Sequence, residues 1–183
     1  DSMNKQLGEV ISELDKYINR KNTRSLFVFG DVTSTLAGAV VAKNNEINAY
    51  HVEAGLRSGN ILMPEERNRI MVDSICDKLF TPSNDAVNNL LAENISSNKI
   101  ANVGNIMIDT LVKNHERIIS DRSFNPSDFK IEKNYFVMTI HRQANLTDSN
   151  LSIILDGLQN FVKDYDIVIP AHPRLKKFIE MLC

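Results

Sequence analysis

The chain has 183 residues, 43% of them hydrophobic and 24% charged, with 21 Lys and Arg against 23 Asp and Glu. These proportions are those of ordinary globular domains and exclude whole-chain disorder, and a formal charge of −2 lacks the basic excess of a dedicated nucleic-acid binder. No apolar run reaches the roughly 18 residues of a membrane span, and no secretory leader opens the sequence. The two cysteines, Cys76 and Cys183, form neither a zinc spacing nor a disulfide framework and suit a reducing cytoplasm.

Met3, Leu7, Val10, Ile11, Leu14, Tyr17 and Ile18 recur at helical spacing and predict an amphipathic helix over 3–18. Leu26-Phe27-Val28-Phe29 is a continuous apolar run stopped by Gly30-Asp31. It reads as a strand buried on both faces of a parallel sheet. A helix over 33–43 and a strand over 47–52 follow. Pro64, with Glu65 and Glu66 behind it, opens a helix to about Cys76, because proline suits the first turn and acids suit the positive end of the macrodipole. A strand over 78–81, a helix capped at Ser83-Asn84-Asp85 and a strand over 100–103 complete the first half. A helix over 106–119 leads to a polar loop over 121–134. The alternation then restarts with a strand at 135–140, a helix near 148–163, a strand at 167–169 and a helix near 174–182.

Repeated β-α units predict α/β architecture with Rossmann-like, mostly parallel sheets in three layers. The first strand has a helix before it and no strand to pair with, and the last helix stops at Cys183. Two strands in 135–183 are too few for independent stability. The expected organisation is an interior piece of a longer two-domain protein, incomplete at both ends. Residues 1–104 belong to its N-terminal domain, and 105–183 supply a connecting helix and the start of a second.

Ligands of open α/β sheets sit at the carboxyl ends of the strands. That edge collects Gly30-Asp31, His51 through Arg57, Pro82-Ser83, Gly104-Asn105, His141-Arg142 and His172-Pro173-Arg174. Arginines and histidines there suit a phosphate-bearing ligand, and carboxylates suit general acid/base work. Ordinary structural roles compete at each position. Asp31 can cap the next helix, Glu65 can pair with Arg69 one turn on, His51 can be a satisfied core histidine and Arg57 can face solvent. Cys76 reads as core, and Met63, Met71 and Met138 as core or gap fillers. Neither a GxGxxG fingerprint nor a P-loop is present.

The combination decides between these readings. Phe29-Gly30-Asp31-Val32-Thr33-Ser34-Thr35, His51-Val52-Glu53-Ala54-Gly55-Leu56-Arg57 and Met63-Pro64-Glu65-Glu66-Arg67-Asn68-Arg69 stand in order. Leu79-Phe80-Thr81-Pro82-Ser83, Val103-Gly104-Asn105, Thr139-Ile140-His141-Arg142 and Pro170-Ala171-His172-Pro173-Arg174 follow. Together they resemble the non-hydrolysing UDP-N-acetylglucosamine 2-epimerases over most of the chain. The resemblance implies a two-domain, glycosyltransferase-B-like architecture with the sugar nucleotide in the cleft. It implies interconversion of UDP-GlcNAc and UDP-ManNAc by elimination of UDP to a glycal and re-addition, with no cofactor and no metal. It implies a cytoplasmic enzyme feeding polysaccharide synthesis, a homodimer when full-length, with no nucleic-acid or membrane partner.

Carried over residue by residue, the resemblance makes Asp31, Glu53 and Glu65 the acid/base candidates. His141 matches the family histidine near the diphosphate, with Arg142 beside it. Arg57 and Arg69 match motif positions with supporting roles in substrate binding, and His51 adjoins a region where some members bind a second UDP-GlcNAc. The family's Gly-Thr-Arg-Pro-Glu-type start and Ser-Gly-Gly-x-x-Glu-Glu segment do not occur here, and Ala144 stands where an acid is common. The 183 residues alone are therefore expected to be inactive. A hydrolysing epimerase releasing ManNAc and UDP, a glycosyltransferase of similar architecture and a non-catalytic nucleotide-sugar binder are the competing readings. Retention of three carboxylates argues against the last, since a binder of an anionic diphosphate gains nothing from them.

Overall fold

A computed structural model describes residues 2–18, 22–121, 123, 125–140, 145–170, 173, 175 and 176. They divide into two compact units, Asp1–His115 and Glu116–Cys183. The division falls within the helix that follows residue 104, so that helix contributes residues to both units.

Helix α1 (Met3–Tyr17) opens the first unit, its first turn capped by the Ser2 hydroxyl, which accepts from Lys5 N. Strand β1 (Ser25–Phe29), helix α2 (Thr33–Asn44), strand β2 (Asn48–Val52), helix α3 (Pro64–Ile75), strand β3 (Lys78–Thr81), helix α4 (Asn84–Ala92) and strand β4 (Ile100–Asn102) alternate as expected. The four strands are parallel in the order β1-β2-β3-β4. In this register Val28, His51 and Leu79 share one face, and Phe29, Val52 and Phe80 share the other.

The two faces are unequal. Val28, Ala49, His51 and Leu79 are buried with Leu36, Ala39 and Ala42 of α2, Val72 of α3 and Leu90 of α4. On the opposite face Phe27 is 49% and Phe29 59% exposed, beside half-buried Tyr50 and Phe80. The rings of Phe27 and Tyr50 meet edge-on, with centroids 5.0 Å apart. Strand β1 is thus buried on one face, not both, and the expected third layer is absent among the described residues. The strand order gives the reason. Successive right-handed crossovers that advance in one direction stack every helix on the same side.

Helix α5 (Ile106–Ser120) leaves β4 and carries the chain into the second unit. There the polar segment forms a single 3-10 turn at Pro126–Phe129. Strand β5 (Tyr135–Val137), helix α6 (Asp148–Leu158) and strand β6 (Asp166–Val168) form a βαβ unit with parallel pairing, Phe136 opposite Ile167. Its core is Ile140, Leu151 and Leu175, flanked by Met138, Leu146, Ile154 and Ile169. Of the methionines expected as fillers, Met138 packs here, whereas Met71 on α3 is 42% exposed. No helix among the described residues is long and apolar enough to cross a membrane.

Candidate functional site

The carboxyl end of β1 turns sharply at Gly30, where φ is +68°. Three carbonyls of this turn are held by side chains from three different elements. Thr35 Oγ1 donates to Phe29 O at 2.6 Å, His51 Nε2 to Gly30 O at 2.8 Å, and Asn68 Nδ2 to Asp31 O at 2.8 Å. The N-cap of α2 is Val32, with no side-chain cap bond. Asp31 therefore does not cap the helix. Its carboxylate instead meets Arg69 of α3, Nη2 to Oδ2 at 2.8 Å.

Glu53 follows β2 directly and stands in the left-handed region at φ +72°, which costs a residue with a side chain about 1–3 kcal/mol. The strand register holds it there. Glu53 N and Ala54 N both donate to Phe80 O, at 3.1 and 3.0 Å. The twist brings the Glu53 carboxylate over Gly30, and a Cβ at that glycine would stand 3.5 Å from Oε2. Arg69 Nη2 lies 4.0 Å from the same Oε2. Asp31, Glu53 and Arg69, far apart in sequence, are thus one cluster at the predicted sheet edge. A cavity of about 230 Å³ adjoins it, lined by Glu53, Phe80, Pro82, Gly104, Ile106 and Met107 among others.

Glu65 stands exposed in the first turn of α3, one turn before Arg69. Arg69 turns to Asp31 and Glu53 rather than back to Glu65, so the pair expected within the helix is replaced by a tertiary one. His51 is fully buried, with Nδ1 on Asp73 Oδ1 at 2.6 Å and Nε2 on Gly30 O. Both ring nitrogens are occupied by protein, so the ring has no atom left for a ligand. Arg57 is also turned inward. It forms a fork to Glu93 at 2.6 and 2.7 Å and reaches Asp73 Oδ2 at 2.8 Å. Burial works against the Arg57 charge, but Glu93 and Asp73 outweigh it and hold the group above its usual pKa. His141 and Arg142 lie outside the described residues.

Three contributors escaped the sequence reading. Asn68 and Asp73 lie on the inner side of α3, and each is a polar residue at a helical position that should be apolar. That mismatch was the available signal. Glu66, expected to serve the helix dipole, is only 4% exposed and accepts from Ser58 N, Ser58 Oγ and Gly59 N at 2.8, 3.0 and 3.0 Å. It clamps the loop between β2 and α3. Among the described residues no group of three His, Cys, Asp or Glu side chains is placed to hold a metal ion.

Comparison with known proteins gives the cluster a context. The profile of the family described as UDP-N-acetylglucosamine 2-epimerase matches residues 1–183. The UDP-N-acetylglucosamine 2-epimerase of Methanocaldococcus jannaschii is 38% identical over 179 residues, covering 94% of this chain and 48% of that protein. The UDP-2,3-diacetamido-2,3-dideoxy-D-glucuronate 2-epimerase of Pseudomonas aeruginosa is 35% identical, covering 96% and 49%. A crystal structure of the Methanocaldococcus jannaschii UDP-GlcNAc 2-epimerase in complex with UDP-GlcNAc and UDP superimposes with a TM-score of 0.86 at 35% identity, covering 99% of this chain and 51% of that one. The chain spans about half the length of the curated relatives it matches. With the family profile matched over its whole length, the chain belongs to the UDP-N-acetylglucosamine 2-epimerase family.

Proposed function

We propose that the protein carrying this chain interconverts UDP-GlcNAc and UDP-ManNAc without releasing free sugar. The observation that carries this reading is the pairing of two carboxylates, Asp31 and Glu53, on one arginine at the carboxyl edge of the sheet. Epimerisation at C2 needs a base for a weakly acidic C–H and an acid to return a proton on the other face. Asp31, Glu53 and Glu65 are the groups proposed for these tasks. One carboxylate takes the C2 proton while the C1–O bond breaks and UDP leaves with the bonding pair, giving a glycal. A proton then returns to the opposite face of C2 as the UDP oxygen attacks C1. The leaving diphosphate gathers negative charge, and His141 with Arg142 are the proposed cationic donors to it. Arg69, beside both Asp31 and Glu53, holds these two carboxylates together. The residues supply all of this by proton transfer and electrostatics, so no cofactor is invoked.

The names of the two relatives share one element, inversion at C2 of a UDP-linked acetamido sugar. That shared chemistry supports the reaction class, and the diacetamido uronate is the second substrate to test. The full-length protein is proposed to be a cytoplasmic homodimer of two Rossmann-like domains. Alone, the 183 residues are proposed to be inactive. The test uses the full-length protein with UDP-GlcNAc in D₂O, followed by proton NMR. UDP-ManNAc carrying deuterium at C2 is the expected product. Free ManNAc and UDP with no UDP-ManNAc would make it a hydrolysing enzyme, and no exchange at C2 would overturn the reading in favour of a transferase or binder.

A further inference from the structure

We infer that His51, held by Asp73, is a positioning residue that sets Asp31 for proton transfer through the carbonyl of Gly30. This rests on the function proposed above. Asp31 is only 26% exposed at its side chain, yet it sits in a turn, where backbone freedom would blur a base that must meet a C–H. A shift of about 1 Å at such a group costs on the order of 100-fold in rate. Gly30 N donates to Val52 O at 3.1 Å, and the carbonyls of Phe29, Gly30 and Asp31 each accept from a side chain. Asn68 holds Asp31 O and His51 holds Gly30 O, and those two carbonyls flank the Asp31 Cα. They fix the direction in which the Asp31 side chain leaves the backbone.

The geometry of the ring explains why histidine serves here. Gly30 O is a carbonyl and can only accept. Asp73 holds the other side of the ring, with Oδ1 on Nδ1 while Oδ2 takes Gly55 N at 3.1 Å and Arg57 Nη1 at 2.8 Å. His51 therefore carries its hydrogen on Nε2 toward Gly30 O, while Nδ1 faces Asp73 Oδ1 at 2.6 Å. His51 is 0% and Asp73 1% exposed, which keeps the pair in low dielectric, where a bond of 2.6 Å is stiff. Asp73 in turn belongs to α3, the helix that carries Arg69 and Glu65. One buried chain of contacts, from α3 through His51 to the β1 turn, thus links the helix bearing one set of site residues to the loop bearing Asp31.

The test compares His51→Gln with His51→Asn in the full-length protein. The Gln amide nitrogen reaches the place of Nε2 and keeps the donor to Gly30 O. The Asn amide nitrogen reaches only the place of Nδ1 and keeps the bond to Asp73. Both bury one amide, so a merely structural role predicts equal effects. Positioning predicts that His51→Gln retains at least tenfold more kcat, and more C2 exchange in D₂O, than His51→Asn, with KM within threefold of the parent for both. Equal kcat in the two variants, or full kcat in His51→Asn, would overturn the inference. If either fails to fold by circular dichroism, Asp73→Asn decides. A loss of kcat of about tenfold at constant KM supports positioning, and an unchanged kcat refutes it. The unsubstituted protein is measured first. Absence of exchange there overturns the function itself and this inference with it, whereas exchange there with indifferent variants overturns only the inference.

Discussion

One nitrogen of Arg69, Nη2, stands 2.8 Å from Asp31 Oδ2 and 4.0 Å from Glu53 Oε2. These carboxylates come from the turns after two neighbouring strands, and the arginine charge offsets their mutual repulsion. Arg69 holds the cluster as a charge rather than as a fork, because its Nε is buried with no hydrogen-bond partner. A lysine ammonium is a point charge on a flexible stem and replaces that much of the arginine. The full-length Arg69→Lys protein is expected to keep kcat within about tenfold, and Arg69→Met to lose about 100-fold, the scale of a misplaced acid/base group. Steady-state kinetics check this. Equal losses in Lys and Met variants would show that the planar guanidinium itself is needed.

Gly55 is a steric requirement of the loop after β2. Its φ is +79°, and a Cβ there would run into the Ala86 carbonyl oxygen and come within 3.0 Å of Leu90 Cδ1. The obstacle is the backbone of α4, which cannot swing aside as a flexible side chain would. Backbone strain and overpacking each cost about 1–3 kcal/mol, so Gly55→Ala is expected to lose about 3 kcal/mol. The denaturant midpoint reads it directly, and a change below about 1 kcal/mol would mean that the loop and α4 separate more readily than their contact implies.

Cys76 caps the carboxyl end of α3 and is fully buried. Burial, with the nearby charges of Asp73 and Asp77, pushes its thiol up to about 12. Thiolate is the reactive form, so the native thiol is both shielded and protonated. In a Cys183→Ser background, an aromatic disulfide reagent at pH 8 is expected to label Cys76 more than 100-fold more slowly in buffer than in denaturant. The remaining rate should follow unfolding. Rapid labelling of the folded protein would contradict the placement of this side chain in the core.

The strand run Leu26–Phe29 and its Gly30-Asp31 stop were legible because a buried parallel strand needs apolar residues and its ligand-facing turn needs glycine. Which face of that strand is covered was not legible. A continuous apolar run reads the same whether Phe27 and Phe29 are packed or exposed, and the strand order alone places the helices. At the site, Asp31 and Glu53 stood out by position after strands, but their meeting on Arg69 depends on how α3 packs. The same packing turned His51 and Arg57 from ligand candidates into inward-facing partners of Asp73. A pattern of residue types cannot distinguish an arginine that reaches a substrate from one that reaches the next helix.

Glu66 shows how a carboxylate beside a proposed acid/base residue, Glu65, is used for stability. Burial alone would push its pKa up, but donors from Ser58 and Gly59, with the Arg57 charge, bring it below the usual range. Asp77 behaves alike, its desolvation outweighed by Lys43 and by Ala49 N. For such groups the unfolded chain takes up protons first as pH falls. Their stabilisation is therefore complete above the ordinary carboxylate range and is lost as pH drops through the lower, folded value. Unfolding midpoints measured from pH 7 down to about 3 should fall along this course. Glu66→Gln keeps the shape but loses the charge and turns one acceptor into a donor facing N–H groups. It is expected to cost about 2 kcal/mol at pH 7 and to lose less on acidification, so that the two curves converge at low pH. Parallel curves would mean that Glu66 is as free to protonate in the fold as in the unfolded chain, and that the loop clamp at Ser58 and Gly59 carries no charge.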